Sequence, residues 1–215
     1  MENKNLLVVF VKNIRLGKVK TRLAQTIGNE NAFLIYKELV KITEKATQQL
    51  QNCTIQIYFS DEIEETQWDN CKKFIQQGND LGEKMQHAFQ QGFTSGYEKI
   101  VLIGSDLPAI SASIIQQGFD ALNSNDIVFG PAEDGGYYLV GMNKLHPTIF
   151  QNKPWSNEEL LSVTLKELSG YKLQLLPFLN DIDVYEDLKK HPLLLQLIEN
   201  PETLNFKLQT SNNKI

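Results

Sequence analysis

Chemistry in this chain starts from one basic loop and three acidic turns. Lys12, Arg15, Lys18, Lys20 and Arg22 put five positive side chains into eleven residues of a 215-residue protein whose net charge is −5. A local positive field on a negative body suits a small polyanion better than a duplex. The stretch KNIRLGKVKTRLA (Lys12–Ala24) directly follows an apolar run. Gly17 permits a tight turn there, and Lys18, Lys20, Thr21 and Arg22 come just after it. A helix beginning near Val19 would add free backbone amides, which together make a nucleotide-phosphate cradle. The G-x-x-x-x-G-K-[ST] spacing of a P-loop is absent. A solvated basic loop is the plainer alternative.

The acidic candidates each follow a strand-like run. In GSDLP (Gly104–Pro108), Asp106 stands where the run KIVLI ends, with Ser105 beside it. A carboxylate so placed can hold Mg²⁺ or Mn²⁺ through oxygen, with phosphate and water completing the shell. It could equally satisfy turn amides. In GPAEDGGYYLVG (Gly130–Gly141), Glu133 and Asp134 precede Gly135 and Gly136, where backbone can approach a ligand closely. Either acid could deprotonate a substrate, or the Asp-Gly could be a hairpin turn. In NDIDVYEDL (Asn180–Leu188), Asp181 and Asp183 are two apart and would face one cation from an extended segment. Local pattern alone favours a cap, with Asp183 before a helix from Val184 and Glu186 completing a capping box. GNDLGEKM offers Gly82 backbone for base or ribose recognition, and Trp155 is a substrate contact or a core residue. Cys53 and Cys71, like the three histidines, match no metal or redox spacing.

These residues need a scaffold that gathers strand ends. Apolar strand-length runs (Leu6–Val11, Thr54–Ser60, Lys99–Pro108, Asp126–Gly130, Gly135–Met142, Tyr171–Pro177) alternate with amphipathic segments near 29–50, 80–92, 111–123 and 156–169, and a short helical region begins at Val184. Phe74 and Ile75 mark a further short strand. The continuous run LLVVFV fits a strand buried on both faces. The order predicts an α/β fold: a three-layer α/β/α sandwich with a mostly parallel mixed sheet and one antiparallel strand added late. A single domain is expected over 1–200, followed by a polar tail, 201–215. Ligands of such folds bind beyond the carboxyl ends of the strands.

Composition removes several classes. Hydrophobic residues at 41% and charged residues at 22% describe an ordinary globular chain. The negative balance excludes a general nucleic-acid binder. The six-residue apolar run near the N-terminus is too short for a membrane span or signal segment, so the cytoplasm is the expected compartment.

As a set, VFVKNIRLGKVKTRLA, GNDLGEKM, GSDLP, GPAEDGGYYLVG, the PWS segment and NDIDVYEDL resemble one bacterial family over about Leu6 to Leu188. It was once catalogued as a domain of unknown function (DUF2064-like) and is now described as glycosyltransferases linked to radical-SAM and arsenosugar pathways. Its fold is similar to the GT-A nucleotide-diphospho-sugar transferases, and to nucleotidyltransferases of molybdenum-cofactor and phospholactate guanylylation. The resemblance implies nucleotide contacts from Gly17, Lys20 and Arg22, and Mg²⁺ or Mn²⁺ on Asp106 with Asp183 and Asp181. It also implies an acceptor side at Asp134 and Gly135. Asn13-Ile14 replaces a Lys-Pro pair typical of the family, a change expected to loosen the phosphate loop. Ser156-Asn157 replaces Ser-Thr, and Val184 replaces Thr. Three functions follow as expectations: sugar transfer from a nucleotide-diphosphate sugar to a small-molecule acceptor, nucleotidyl transfer from a nucleoside triphosphate, or nucleotide binding without catalysis.

Overall fold

In the computed structural model, residues 4–199 are described, so the expected polar tail lies outside the described residues. The chain runs β1 (Asn5–Val11), α1 (Thr21–Ile27), α2 (Asn29–Gln48), β2 (Thr54–Phe59), β3 (Lys72–Ile75), α3 (Leu81–Thr94), β4 (Lys99–Ile103), α4 (Ala112–Ala121), β5 (Ile127–Pro131), β6 (Tyr137–Met142), α5 (Leu160–Glu167), β7 (Leu173–Leu175), α6 (Tyr185–Lys189) and α7 (Pro192–Glu199). A 3-10 turn at Pro147–Ile149 joins β6 to the segment before α5.

The sheet has seven strands in the order β3-β2-β1-β4-β6-β5-β7. β1 pairs parallel with β2 and β4, and β7 parallel with β5, whereas β6 is antiparallel to β4 and β5. The antiparallel strand is thus interior, wedged between its neighbours rather than appended to an edge. Alternation along β1 explains the layers. Leu7, Val9 and Val11 join Tyr36, Val40, Ile115 and Phe119 on the α2/α4 face. Leu6, Val8 and Phe10 join Met85, Phe89, Phe150 and Leu161 on the α3/α5 face. A third apolar cluster packs α1, α2, α6 and α7 through Leu23, Ile35, Leu39, Ile182 and Leu188.

Asp80 caps α3, its carboxylate accepting from the Glu83 amide at 2.8 Å, as the local pattern predicts. Gly92, where the amphipathic segment near 80–92 ends in the sequence, lies inside the helix. A Cβ there would come within 2.5 Å of Ile100, so the missing side chain lets α3 sit close on the sheet. Ser111 caps α4, its hydroxyl accepting from the Ile114 amide at 3.3 Å. α5 begins at Leu160, four residues after the expected Ser156, because residues 156–159 turn rather than coil.

Candidate functional site

The chain leaves β1 toward β2 on one side, and β4 lies on the other. Between β1 and β4 the strand order reverses, and loops leaving their carboxyl ends part around a crevice. The basic loop and GSDLP flank that crevice because Val9 of β1 pairs with Ile103 of β4.

The basic loop is held from beneath. Asn13 is 2% exposed. Its Nδ2 donates to the Glu62 carbonyl at 2.8 Å, and its Oδ1 accepts from the amides of Asp61 at 2.9 Å and Glu62 at 3.2 Å. The substitution expected to loosen this loop therefore ties it to the turn after β2. Tyr36 of α2 ties it to β4: its hydroxyl accepts from the Lys12 amide at 3.1 Å, donates to the Lys12 carbonyl at 3.0 Å and meets Ser105 Oγ at 3.1 Å. Burial pushes the Tyr36 phenol up to about 12, so it keeps its proton for this role. Gly17, at φ +73°, takes the third position of a turn closed by the Lys18 amide on the Arg15 carbonyl at 3.0 Å. The helix starts at Thr21 rather than near Val19. Lys20 precedes it in a left-handed conformation, φ 45°, uncommon for a non-glycine residue.

That backbone aims Lys20 inward. Its side chain is 6% exposed, with Nζ 3.0 Å from Asp106 Oδ2 and 3.6 Å from Asp181 Oδ2. Burial opposes the ammonium charge, yet Asp106 and Asp181 outweigh it and hold Lys20 above its usual range. Asp181 is pushed up to about 6, first by burial and then by Asp106, against the pull of Lys20; Asp134 and Asp183 add to the rise. Four carboxylates from three separate loops thus share one electrostatic neighbourhood, which the buried Lys20 and the exposed Arg22 only partly neutralise.

Asp183 pairs with Arg22 at 2.8 Å. It is not the cap suggested by local pattern. Val184 precedes α6, and Asp187, not Glu186, accepts from the amides of Asp183 at 3.2 Å and Val184 at 3.1 Å. Asp187 therefore releases Asp183 for Arg22. Asp134 stands exposed at the tip of the β5–β6 hairpin, where Oδ1 accepts from the Gly136 amide at 2.9 Å. Glu133 turns toward Lys190, 3.5 Å away, on the α6 side. Gly135, at φ +86°, lies where a Cβ would fall 1.9 Å from the Glu158 carbonyl oxygen, and its own carbonyl accepts from the Leu161 amide.

Other sequence candidates fall outside this cluster. Lys18 is exposed on the loop and Thr21 at the start of α1, whereas Ser105 is 3% exposed and serves as the Tyr36 partner. Gly82 is buried, with a notional Cβ 2.3 Å from the Phe150 carbonyl and 2.7 Å from Trp155, so it admits α3 to a packed contact. Trp155 packs against the apolar layer on that face. Asn13 and Tyr36, which anchor the basic loop, are not singled out by the sequence for that role. Tyr36 did leave a signal, an aromatic with a polar tip among apolar residues at helical spacing.

Among the described residues, no three His, Cys, Asp or Glu side chains gather as a ready metal site. The donor chemistry still fits Mg²⁺ or Mn²⁺. Such ions are commonly held by one or two carboxylates plus substrate phosphates, and Asp106 and Asp181 converge on a cationic group already.

The sheet order and the helices on both faces define a three-layer α/β/α sandwich, and its likeness to solved structures makes the fold nucleotide-diphospho-sugar transferase-like. The chain belongs to the bacterial family described as "Uncharacterized protein conserved in bacteria (DUF2064)", whose profile matches residues 43–157. It is similar to a candidate nucleotide-diphospho-sugar transferase from Desulfovibrio desulfuricans G20, at 31% identity and TM-score 0.79 over 85% of this chain and 84% of that one. It shares its fold with 4-diphosphocytidyl-2C-methyl-D-erythritol synthase from Anaerococcus prevotii, at 10% identity and TM-score 0.59 over 90% and 97% of the two chains. The fold also matches Rv0371c from Mycobacterium tuberculosis H37Rv in complex with manganese, at 12% identity and TM-score 0.53 over 87% and 97% of the two chains. No curated protein matches the sequence. No helix among the described residues is long and apolar enough to cross a membrane.

Proposed function

We propose that this chain is a nucleotide-utilising transferase that moves a glycosyl group from a nucleotide-diphosphate sugar to a small-molecule acceptor. One observation carries the reading: Lys20 is buried between Asp106 and Asp181 at the reversal point of the sheet. The ammonium is fixed in advance where charge gathers on a departing diphosphate, the kind of preorganised electrostatics that dominates many catalysed reactions. Arg22 and Lys18 extend the positive field along the phosphate chain. Asp106 and Asp181 would hold Mg²⁺ or Mn²⁺, which neutralises diphosphate charge when bound. Asp134, exposed across the crevice at the hairpin tip, is the base for the acceptor hydroxyl; Glu133, turned toward Lys190, is the poorer candidate. The name of the Desulfovibrio relative supports the donor class, and the manganese in the Mycobacterium tuberculosis structure accords with the metal.

Nucleotidyl transfer from a nucleoside triphosphate is the second reading. It is favoured by the β4 end, where Asp106 is the single carboxylate and Ser105 is committed to Tyr36. The test is a thermal-shift screen of nucleotide sugars and nucleoside triphosphates, with and without Mg²⁺ or Mn²⁺, followed by product analysis. A nucleotide sugar at a hundred times its Kd should add about 2.7 kcal/mol of stability, with the effect lost in Asp106→Ala. Release of pyrophosphate instead of a nucleoside diphosphate would select nucleotidyl transfer. Binding without turnover would leave the non-catalytic alternative, and no response to any nucleotide would sink all three.

A further inference from the structure

Lys20 stands where a divalent cation would stand. Its Nζ lies 3.0 Å from Asp106 Oδ2 and 3.6 Å from Asp181 Oδ2, bridging carboxylates from the loop after β4 and the segment before α6. Those are the acids whose oxygens suit Mg²⁺ or Mn²⁺. The Lys20 side chain is 6% exposed, so solvent screens its charge little and the same two oxygens cannot hold a second cation without strong repulsion. The acids themselves stay open to a ligand, Asp106 at 42% and Asp181 at 27% exposure. The ammonium is also poorly satisfied. It has three donors, but among the described residues only Asp106 Oδ2 accepts from it, since 3.6 Å to Asp181 is too long for a hydrogen bond. A buried charge with donors to spare gains from any further acceptor. Arg22 repeats the arrangement on Asp183, 2.8 Å away. Lys18 is exposed and pairs with no acid among the described residues, which leaves it free to meet an anion first.

We propose that Lys20 guards the cation site: in the free protein its ammonium occupies the Asp106–Asp181 pair and excludes a divalent ion, and incoming phosphates take over its donors and free the two acids. Metal and diphosphate then enter together, so the ligand this site accepts is the metal–diphosphate chelate and not the free metal. This order of binding rests on the transferase reading above and adds to it how the donor and its ion arrive. Two acids left without a counter-ion would collect any divalent cation; the built-in ammonium reserves them for one that brings phosphate. Linkage makes the effect reciprocal, because phosphate must raise metal affinity by the factor by which metal raises phosphate affinity.

Mn²⁺ uptake is followed by the relaxation of water protons, which quickens when the ion rides on a slowly tumbling protein and not when a small chelator holds it. Wild type and Lys20→Met are titrated with Mn²⁺ alone and then with inorganic pyrophosphate present, a probe that carries the diphosphate without a base; affinities are compared at equal free Mn²⁺. With Mn²⁺ alone, Lys20→Met should bind at least about tenfold more tightly than wild type. Pyrophosphate should tighten Mn²⁺ on wild type at least about tenfold, and on the variant by clearly less. Lys20→Gly, which suits the backbone at φ 45°, removes the ammonium without placing a new side chain among the acids and should reproduce the gain. Adding Asp106→Asn to Lys20→Met should abolish it. Equal Mn²⁺ affinities of wild type and both Lys20 variants, an equal gain from pyrophosphate in wild type and variant, or tight Mn²⁺ that survives Asp106→Asn would each overturn the guard. The two readings fail separately. If pyrophosphate acts as expected while no nucleotide sugar or nucleoside triphosphate does, the guard stands and the transferase reading falls. If neither protein takes up Mn²⁺ under any condition, the guard falls, and a nucleotide response in the thermal-shift screen would leave the transferase reading in place.

Discussion

Asp181→Asn should make the protein more stable at neutral pH while disabling its site. A carboxyl whose pKa is raised by folding holds its proton more tightly in the folded chain than in the unfolded one. Its ionisation above the folded value therefore destabilises the fold, and stability is regained as pH falls through that value. Asp181 moves from 3.8 to about 6. Roughly two units at about 1.36 kcal/mol each give a cost of about 3 kcal/mol at pH 7.5. The side chain is 27% exposed, and an amide would leave its own polar atoms imperfectly paired. A net gain of about 1–2 kcal/mol is the reasonable expectation, or about 3–6 °C in Tm for a chain of this size. Thermal melts of wild type and Asp181→Asn, run at pH 7.5 and 4.5 without added metal, measure it. By pH 4.5 the wild-type carboxyl is mostly protonated when folded, and most of the difference should vanish. A second series adds nucleotide and Mg²⁺, whose stabilising effect should be present in the wild type and lost in the variant. An unchanged or lower Tm at pH 7.5, or an equal gain at both pH values, would refute the view that Asp181 is held ionised at a cost for the sake of a cation.

Three other perturbations probe the same frame. Lys20→Met should lower kcat/KM at least a hundredfold in the assay that the nucleotide screen identifies, because it removes the buried ammonium facing Asp106 and Asp181; a loss below threefold would exclude Lys20 from the chemistry. Asn13→Ala removes a buried side chain that holds three backbone groups of the turn after β2 and should cost about 1–2 kcal/mol by chemical denaturation, and weaken nucleotide binding as well. An unchanged midpoint would show that the loop is not anchored there. Tyr36→Phe should cost about 1–3 kcal/mol by orphaning the Lys12 backbone and Ser105, with the loss persisting at every pH below about 11; a neutral effect would mean water replaces the hydroxyl.

Much was legible in the sequence because it is written in local pattern. LLVVFV could only be a strand buried on both faces, and its alternation does divide into two core layers. Asp80 and Ser111 announced their helices through side-chain chemistry that acts within three residues. The position of the basic loop and GSDLP after such strands placed both at the carboxyl edge of a parallel sheet, before any coordinates. Local pattern failed where distant residues outvoted it. Asp183 looks like a cap, and only the Asp187 carboxylate, reaching back to the Asp183 and Val184 amides, frees it for Arg22, 161 residues away in sequence. Glu133 and Asp134 are adjacent and chemically alike, but the hairpin turns one toward Lys190 and leaves the other on the Gly136 amide, where its charge reaches Asp181. Gly82 reads as backbone open to a base or ribose and Gly92 as the end of a helix, yet each is a close packing contact.

By itself, then, the order of residues determined the strands, most helices, the family and the carboxylates worth testing, since each depends on spacing and side-chain type. Tertiary structure alone decided that the antiparallel strand lies inside the sheet, between β4 and β5, that Asn13 tightens its loop, and that Lys20 meets Asp106 and Asp181 across 86 and 161 residues of chain. Those are facts of convergence. They depend on which strands become neighbours and which charges burial forces together, and no local spacing encodes that.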